Sequence, residues 1–134
     1  MSKKYFTLEE ANQLLPIVRS ELRSLQFVKN QLELKLNHLT RRKERRHQIN
    51  RPIRKNAFFM MECQIEFLQI EAQMYIKSLT DKGVQIKDIN LGLLDFPALI
   101  DGEEVLLCWK SGEEEITHYH RLNEGYIGRK PIQK

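Results

Sequence analysis

The sequence predicts a mainly α chain of α+β layout, in which a long antiparallel helical hairpin carries a small C-terminal β-hairpin lobe. Three observations predict it. Apolar residues recur at 3-4 spacing over two long stretches, residues 8–39 and 58–79. A basic, proline-bearing break separates the two stretches, and after Gly83 the pattern turns to short alternating runs and turn residues. At 134 residues the chain suits a single structural domain, with the hairpin over 1–83 and the lobe over 84–134.

The first helix is announced by Phe6-Thr7-Leu8-Glu9-Glu10-Ala11, which sets Thr at the N-cap, Glu three residues later and an apolar pair around them. That is a capping box with a hydrophobic staple. Its stripe runs through Leu8, Ala11, Leu15, Val18, Leu22 and Leu25, then Leu32, Leu36 and Leu39, and the helix is expected to reach about Arg46. Pro16 removes one ladder hydrogen bond, so a kink or a short separate first helix near Asn12 to Leu15 is expected. Asn50-Arg51-Pro52 supplies a cap and a first-turn proline for a second helix, which Gly83 should end.

The second helix has two apolar seams. Phe58, Met61, Ile65, Leu68, Ala72, Tyr75 and Leu79 form one, and Met60, Cys63, Phe67, Ile70 and Met74 lie roughly opposite it. A helix apolar on two faces needs two partners. The first helix can cover one seam; the other must meet the lobe or a second copy of the chain, and a homodimer is expected.

In the lobe, Val84-Gln85-Ile86 alternates, residues 91–98 are apolar around Asp95 and Pro97, and Asp101-Gly102 is a turn. Glu103 to Lys110 and Glu115 to Arg121 are expected to pair as a β-hairpin through Ser111-Gly112-Glu113-Glu114.

Charge is divided unevenly. Residues 41–55 hold eight of the 22 Lys and Arg against the single acid Glu44, so this segment produces the net charge of +4. From Asp81 to Glu124 there are ten acids and four bases. A basic hairpin tip built from Arg41, Arg42, Lys43, Arg45, Arg46, Arg51, Arg54 and Lys55 is a candidate contact for nucleic acid or another anion, because such clusters neutralise phosphates and release counterions. The segment has no aromatic residue for base stacking, and a solvated helix end, with several of these side chains near the carboxyl end of the first helix, is the plainer account of it. The same opposition of charge permits head-to-tail attraction between molecules.

The lobe offers a second candidate site in Asp95, Cys108, His118, His120 and Arg129. His118 and His120 are two apart on a strand and share a face; Cys108 joins them only if the strand register allows. A His-x-His pair plus a thiol suits zinc, but without a matching second cluster the expectation is no metal and no cofactor. Asp95 is expected to tie the tail to the strands through Arg129 or His120. Gly125-Tyr126-Ile127-Gly128-Arg129-Lys130-Pro131 permits close backbone approach to an anion, without the ending of a P-loop. No nucleophile elbow, metalloprotease motif or dinucleotide fingerprint is present.

Both ends of the chain carry framed motifs: Tyr5-Phe6-Thr7-Leu8-Glu9-Glu10-Ala11-Asn12 with Leu14-Leu15-Pro16, and later Gly92-Leu93-Leu94-Asp95-Phe96-Pro97-Ala98, Gly102, Glu104-Val105-Leu106-Leu107-Cys108-Trp109, Gly112-Glu113, His120 and Gly125 to Ile132. In these the chain resembles the bacterial domain-of-unknown-function family 2203. The resemblance implies a bacterial cytoplasmic setting and transfers no catalytic role. With no apolar leader behind Met1, no eighteen-residue apolar stretch and no CxxC pair, a cytoplasmic chain with free thiols at Cys63 and Cys108 is expected. The reading is a non-catalytic, self-associating interaction module. Its alternatives are a nucleic-acid- or ribosome-associated protein using the tip, and a small-ligand or metal-dependent enzyme using the lobe.

Overall fold

A computed structural model describes residues 4–49 and 55–133 of the chain. The elements are helices α1 (Leu8–Ile49) and α2 (Lys55–Asp81), then strands β1 (Gln85–Asp88), β2 (Leu93–Ile100), β3 (Glu103–Lys110) and β4 (His118–Arg121), a 3-10 turn at Tyr126–Gly128 and strand β5 (Lys130–Pro131). Two long helices are thus followed by a small antiparallel sheet, an α+β layout. The cap proposed for the start of α2, Asn50-Arg51-Pro52, lies outside the described residues.

The capping box forms as read: the Glu10 N–H donates to Thr7 Oγ1 and the Thr7 N–H donates to Glu10 Oε1, both at 3.0 Å. Phe6 before it is buried and meets the Phe96 ring edge-on at 5.4 Å, so the entry to α1 is pinned to the sheet. The separate first helix expected at Pro16 does not form, and α1 runs unbroken through the proline for 42 residues. Ala11, Leu15 and Val18, all fully buried, clamp the helix on both sides of the missing hydrogen bond. Their packing outweighs its loss.

Contacts between the helices run in opposite senses along them. Lys82 Nζ and Ser78 Oγ donate to Glu21 Oε1 at 2.8 and 2.9 Å, Lys35 Nζ donates to Gln64 Oε1 at 3.1 Å, and Arg42 reaches the Met61 sulfur at 3.8 Å. These contacts place the first seam of α2 against α1, with Ile65 and Leu79 buried.

The lobe is larger than the expected hairpin, being a five-stranded meander in the order β1-β2-β3-β4-β5. The expected pairing of β3 with β4 is present. What the hairpin reading lacked is β2, the apolar run around Asp95, which pairs with β3 along its whole length. They meet at Asp101-Gly102, where φ is +51° and +78°, as a tight two-residue hairpin turn requires. Proline normally argues against an inner strand. Here β1 pairs only as far as Asp95, and beyond it the Pro97 carbonyl accepts the Phe6 N–H at 2.7 Å. The nitrogen of Pro97 points to that same edge, so the ladder to β3 loses nothing.

Alternation along β2 and β3 gives the sheet two faces. Leu94, Phe96, Ala98, Val105, Leu107 and Trp109 join Ala11, Leu15, Val18, Leu22, Leu25 and Leu79 in one core. Side chains of α1 also hold the lobe directly: Asn12 Oδ1 accepts the Ile116 N–H at 2.7 Å, Arg19 donates to the Glu114 carbonyl at 2.8 Å, and Gln26 donates to the Ile89 carbonyl at 2.8 Å. The far face of the sheet carries the other set, with Asp95 opposite Cys108 and Cys108 opposite His118.

Candidate functional site

Three adjacent strands each place one ligand-bearing side chain on that far face: Asp95 from β2, Cys108 from β3 and His120 from β4. One ligand atom from each lies within 4.8 Å of the other two, the one such group of at least three among the described residues. All three residues are buried, at 1%, 2% and 4% exposure. This convergence exceeds what the sequence led us to expect. His118, although directly across from Cys108, turns its Nδ1 to Thr117 Oγ1 at 2.8 Å and stays outside the trio.

Hydrogen bonding sets the direction of His120. Its Nδ1 lies 2.9 Å from the Arg121 carbonyl, which can only accept, so this nitrogen is assigned the proton. Nε2 then presents its lone pair to Asp95 Oδ2 at 3.0 Å. Burial raises the Asp95 carboxyl above the usual carboxylate range, and the His120 ring offsets only part of that. Burial, together with the neighbouring Asp95 charge, pushes the Cys108 thiol up to about 11.

Arg129 reaches the rim of this cluster beside Cys108, but it pairs with Glu113, not Asp95. Its two terminal nitrogens lie 3.0 Å from the two Glu113 oxygens, a two-pronged grip. The guanidinium also stacks over the Tyr126 ring, 4.4 Å from the centroid. Burial pushes the Glu113 carboxyl up, but Arg129 and the Lys110 N–H, which donates to Oε1 at 2.7 Å, outweigh it and hold the group below its ordinary value. Glu113 and Tyr126 were not among the site residues read from sequence. The signal for Glu113 was present, since it follows the turn glycine Gly112 (φ +104°) and curls back to cap the Lys110 amide.

The second seam of α2 is uncovered. Phe67, Met74, Ile70 and Met60 are 57–68% exposed and Cys63 is exposed with them, so the lobe does not lie over this face. Along it run two shallow grooves of about 420 and 380 Å³ that share Phe67 and meet α1 at Glu21 and Lys35.

A family model described as uncharacterized conserved protein (DUF2203) matches residues 4–132, nearly the whole chain. The chain belongs to this family. No curated protein and no solved structure matches it. The DUF2203 match takes in the trio, the Arg129–Glu113 pair and the uncovered seam alike.

At the far end of the DUF2203 chain's first helix, Arg41, Arg42, Lys43 and Arg45 are exposed. The side chains of Arg46 and Lys55, and all of Arg51 and Arg54, lie outside the described residues. No helix among the described residues is long and apolar enough to cross a membrane.

Proposed function

We propose that the protein is a non-catalytic, cytoplasmic interaction module, a helical hairpin that self-associates as a two-fold dimer through α2. The observation that carries this reading is the uncovered strip Met60, Cys63, Phe67, Ile70 and Met74, because soluble chains rarely leave so continuous an apolar stripe in water. The strip is nearly symmetric about its own middle. Met60 and Met74 lie seven residues either side of Phe67, with Cys63 and Ile70 four and three away. Two antiparallel copies of α2 crossing at Phe67 would therefore match like to like, as a two-fold interface requires. Such a crossing also brings the basic end of α1 in one protomer to the level of the acidic lobe of the other, so charge favours the same occupant.

Light scattering on the full chain tests this. The expected result is a dimer for the wild type and a folded monomer for Phe67→Glu. Reversing Arg41, Arg42, Lys43 and Arg45 to Glu should weaken the dimer while circular dichroism is unchanged. A wild-type monomer at concentrations on the order of tens of micromolar removes the proposal. The basic run is also the feature behind the nucleic-acid alternative. If the charge reversal instead abolishes a steeply salt-dependent affinity for RNA or DNA and leaves the oligomeric state untouched, the run serves phosphates.

A further inference from the structure

We propose that Asp95, Cys108 and His120 form a binding site for one divalent transition-metal ion, with zinc the ion whose preferences match the donor set. A carboxylate oxygen, a thiolate sulfur and an imidazole nitrogen are the three donor types that zinc accepts, and three protein ligands leave its fourth position for a water or a ligand oxygen. The donors come from neighbouring strands of one sheet, which hold them more rigidly than loops would.

The hydrogen bonding around His120 supplies the strongest argument. With the Nδ1 proton committed to the Arg121 carbonyl, Nε2 and Asp95 Oδ2 are two acceptors 3.0 Å apart. Something positive has to lie between them, either a proton or a metal ion. A histidine whose outer N–H is tied to a backbone carbonyl while the other nitrogen faces a carboxylate and a thiol has the orientation that metal ligation uses. The register of β3 brings Cys108 to this group, and its sulfur would give a cation a bond far stronger than the hydrogen bonds it shares with Asp95 and Arg129. Asp95 and the Cys108 thiolate would together neutralise the ion's two charges.

The test uses the full chain stripped of metal with a chelator, then mixed with one equivalent of cobalt(II) or zinc(II) and desalted. Cobalt reports on sulfur ligation through a near-ultraviolet charge-transfer band. The variant Cys63→Ser leaves Cys108 as the single thiol, so no exposed thiolate can mimic the signal. Expected is about one metal per chain with that band intact in Cys63→Ser. Cys108→Ser should abolish the band, and His120→Gln should lower metal retention at least about tenfold. The proposal fails if the folded wild type retains no metal, which would leave a proton between His120 and Asp95. It also fails if cobalt binds without the sulfur band, or if the band vanishes in Cys63→Ser. Should the Cys108 and His120 variants not fold, the wild-type and Cys63→Ser measurements decide alone.

Discussion

The two faces of the sheet are woven from alternating residues of the same strands, yet they are held by different forces. Toward the helices, Leu94, Phe96 and Leu107 lie in an apolar core at 0–2% exposure, where stability scales with buried area and packing is the whole requirement. On the far face, Asp95 and His120 are buried as deeply, but Asp95 Oδ2 and His120 Nε2 face each other as polar partners. On the first face a loss of volume leaves a cavity and added volume forces strain. The second tolerates neither partner alone. Burial at the same depth therefore carries different meanings: a solid interior on one side, and on the other a group kept dry at a cost that only its pairing offsets.

The comparison breaks most visibly at Phe96. Phe96→Ala opens a cavity between β2 and α1 and removes the edge-on contact with Phe6, and the expected loss is about 3–5 kcal/mol. Denaturant unfolding measures it, and a loss well below this range would mean that the helix-facing side repacks freely.

The far face is probed at the pair. Asp95→Ala leaves Nε2 of His120 buried without its partner and should destabilise by about 1–3 kcal/mol. Adding His120→Ala should then cost less than it does in the wild type, and a double-mutant cycle reads that coupling. Strict additivity would show that the two residues do not depend on each other, and the contrast between the faces would fall.

The smallest effect is expected at the rim. Arg129→Ala removes the two-pronged contact with Glu113 and its stacking on Tyr126, with an expected cost of about 1 kcal/mol at this partly exposed position. Its pH dependence has a definite sign. Because the folded-state pKa of Glu113 is depressed, the stabilisation is complete above the ordinary carboxylate pKa and is lost as pH falls through the folded value. The gap between wild type and Glu113→Gln should accordingly close on acidification, and a gap that persists in acid contradicts the ion-pair account.

Much of the frame was legible from residues alone. Thr7 and Glu10 marked the start of α1 because a capping box is a local contact, complete within four residues. Both seams of α2 followed from 3-4 spacing, since helical geometry converts spacing into faces without reference to anything else. The turn at Asp101-Gly102 was legible for the same reason, a backbone preference read one residue at a time.

What tertiary structure decided were the outcomes of competition between distant groups. Pro97 concealed β2 because a proline's cost depends on which edge its nitrogen faces, and that edge is set by how far β1 extends and by Phe6. The sequence offered Asp95 two partners; the sheet gave it His120 and sent Arg129 to Glu113. His118 and His120 share a face, but which ring reaches Asp95 follows from strand register and twist, where a shift of two residues would exchange them. Local chemistry therefore determined the elements and the candidates, while long-range pairing chose among the candidates. Spacing along a chain specifies directions within an element, and only packing between elements specifies distances.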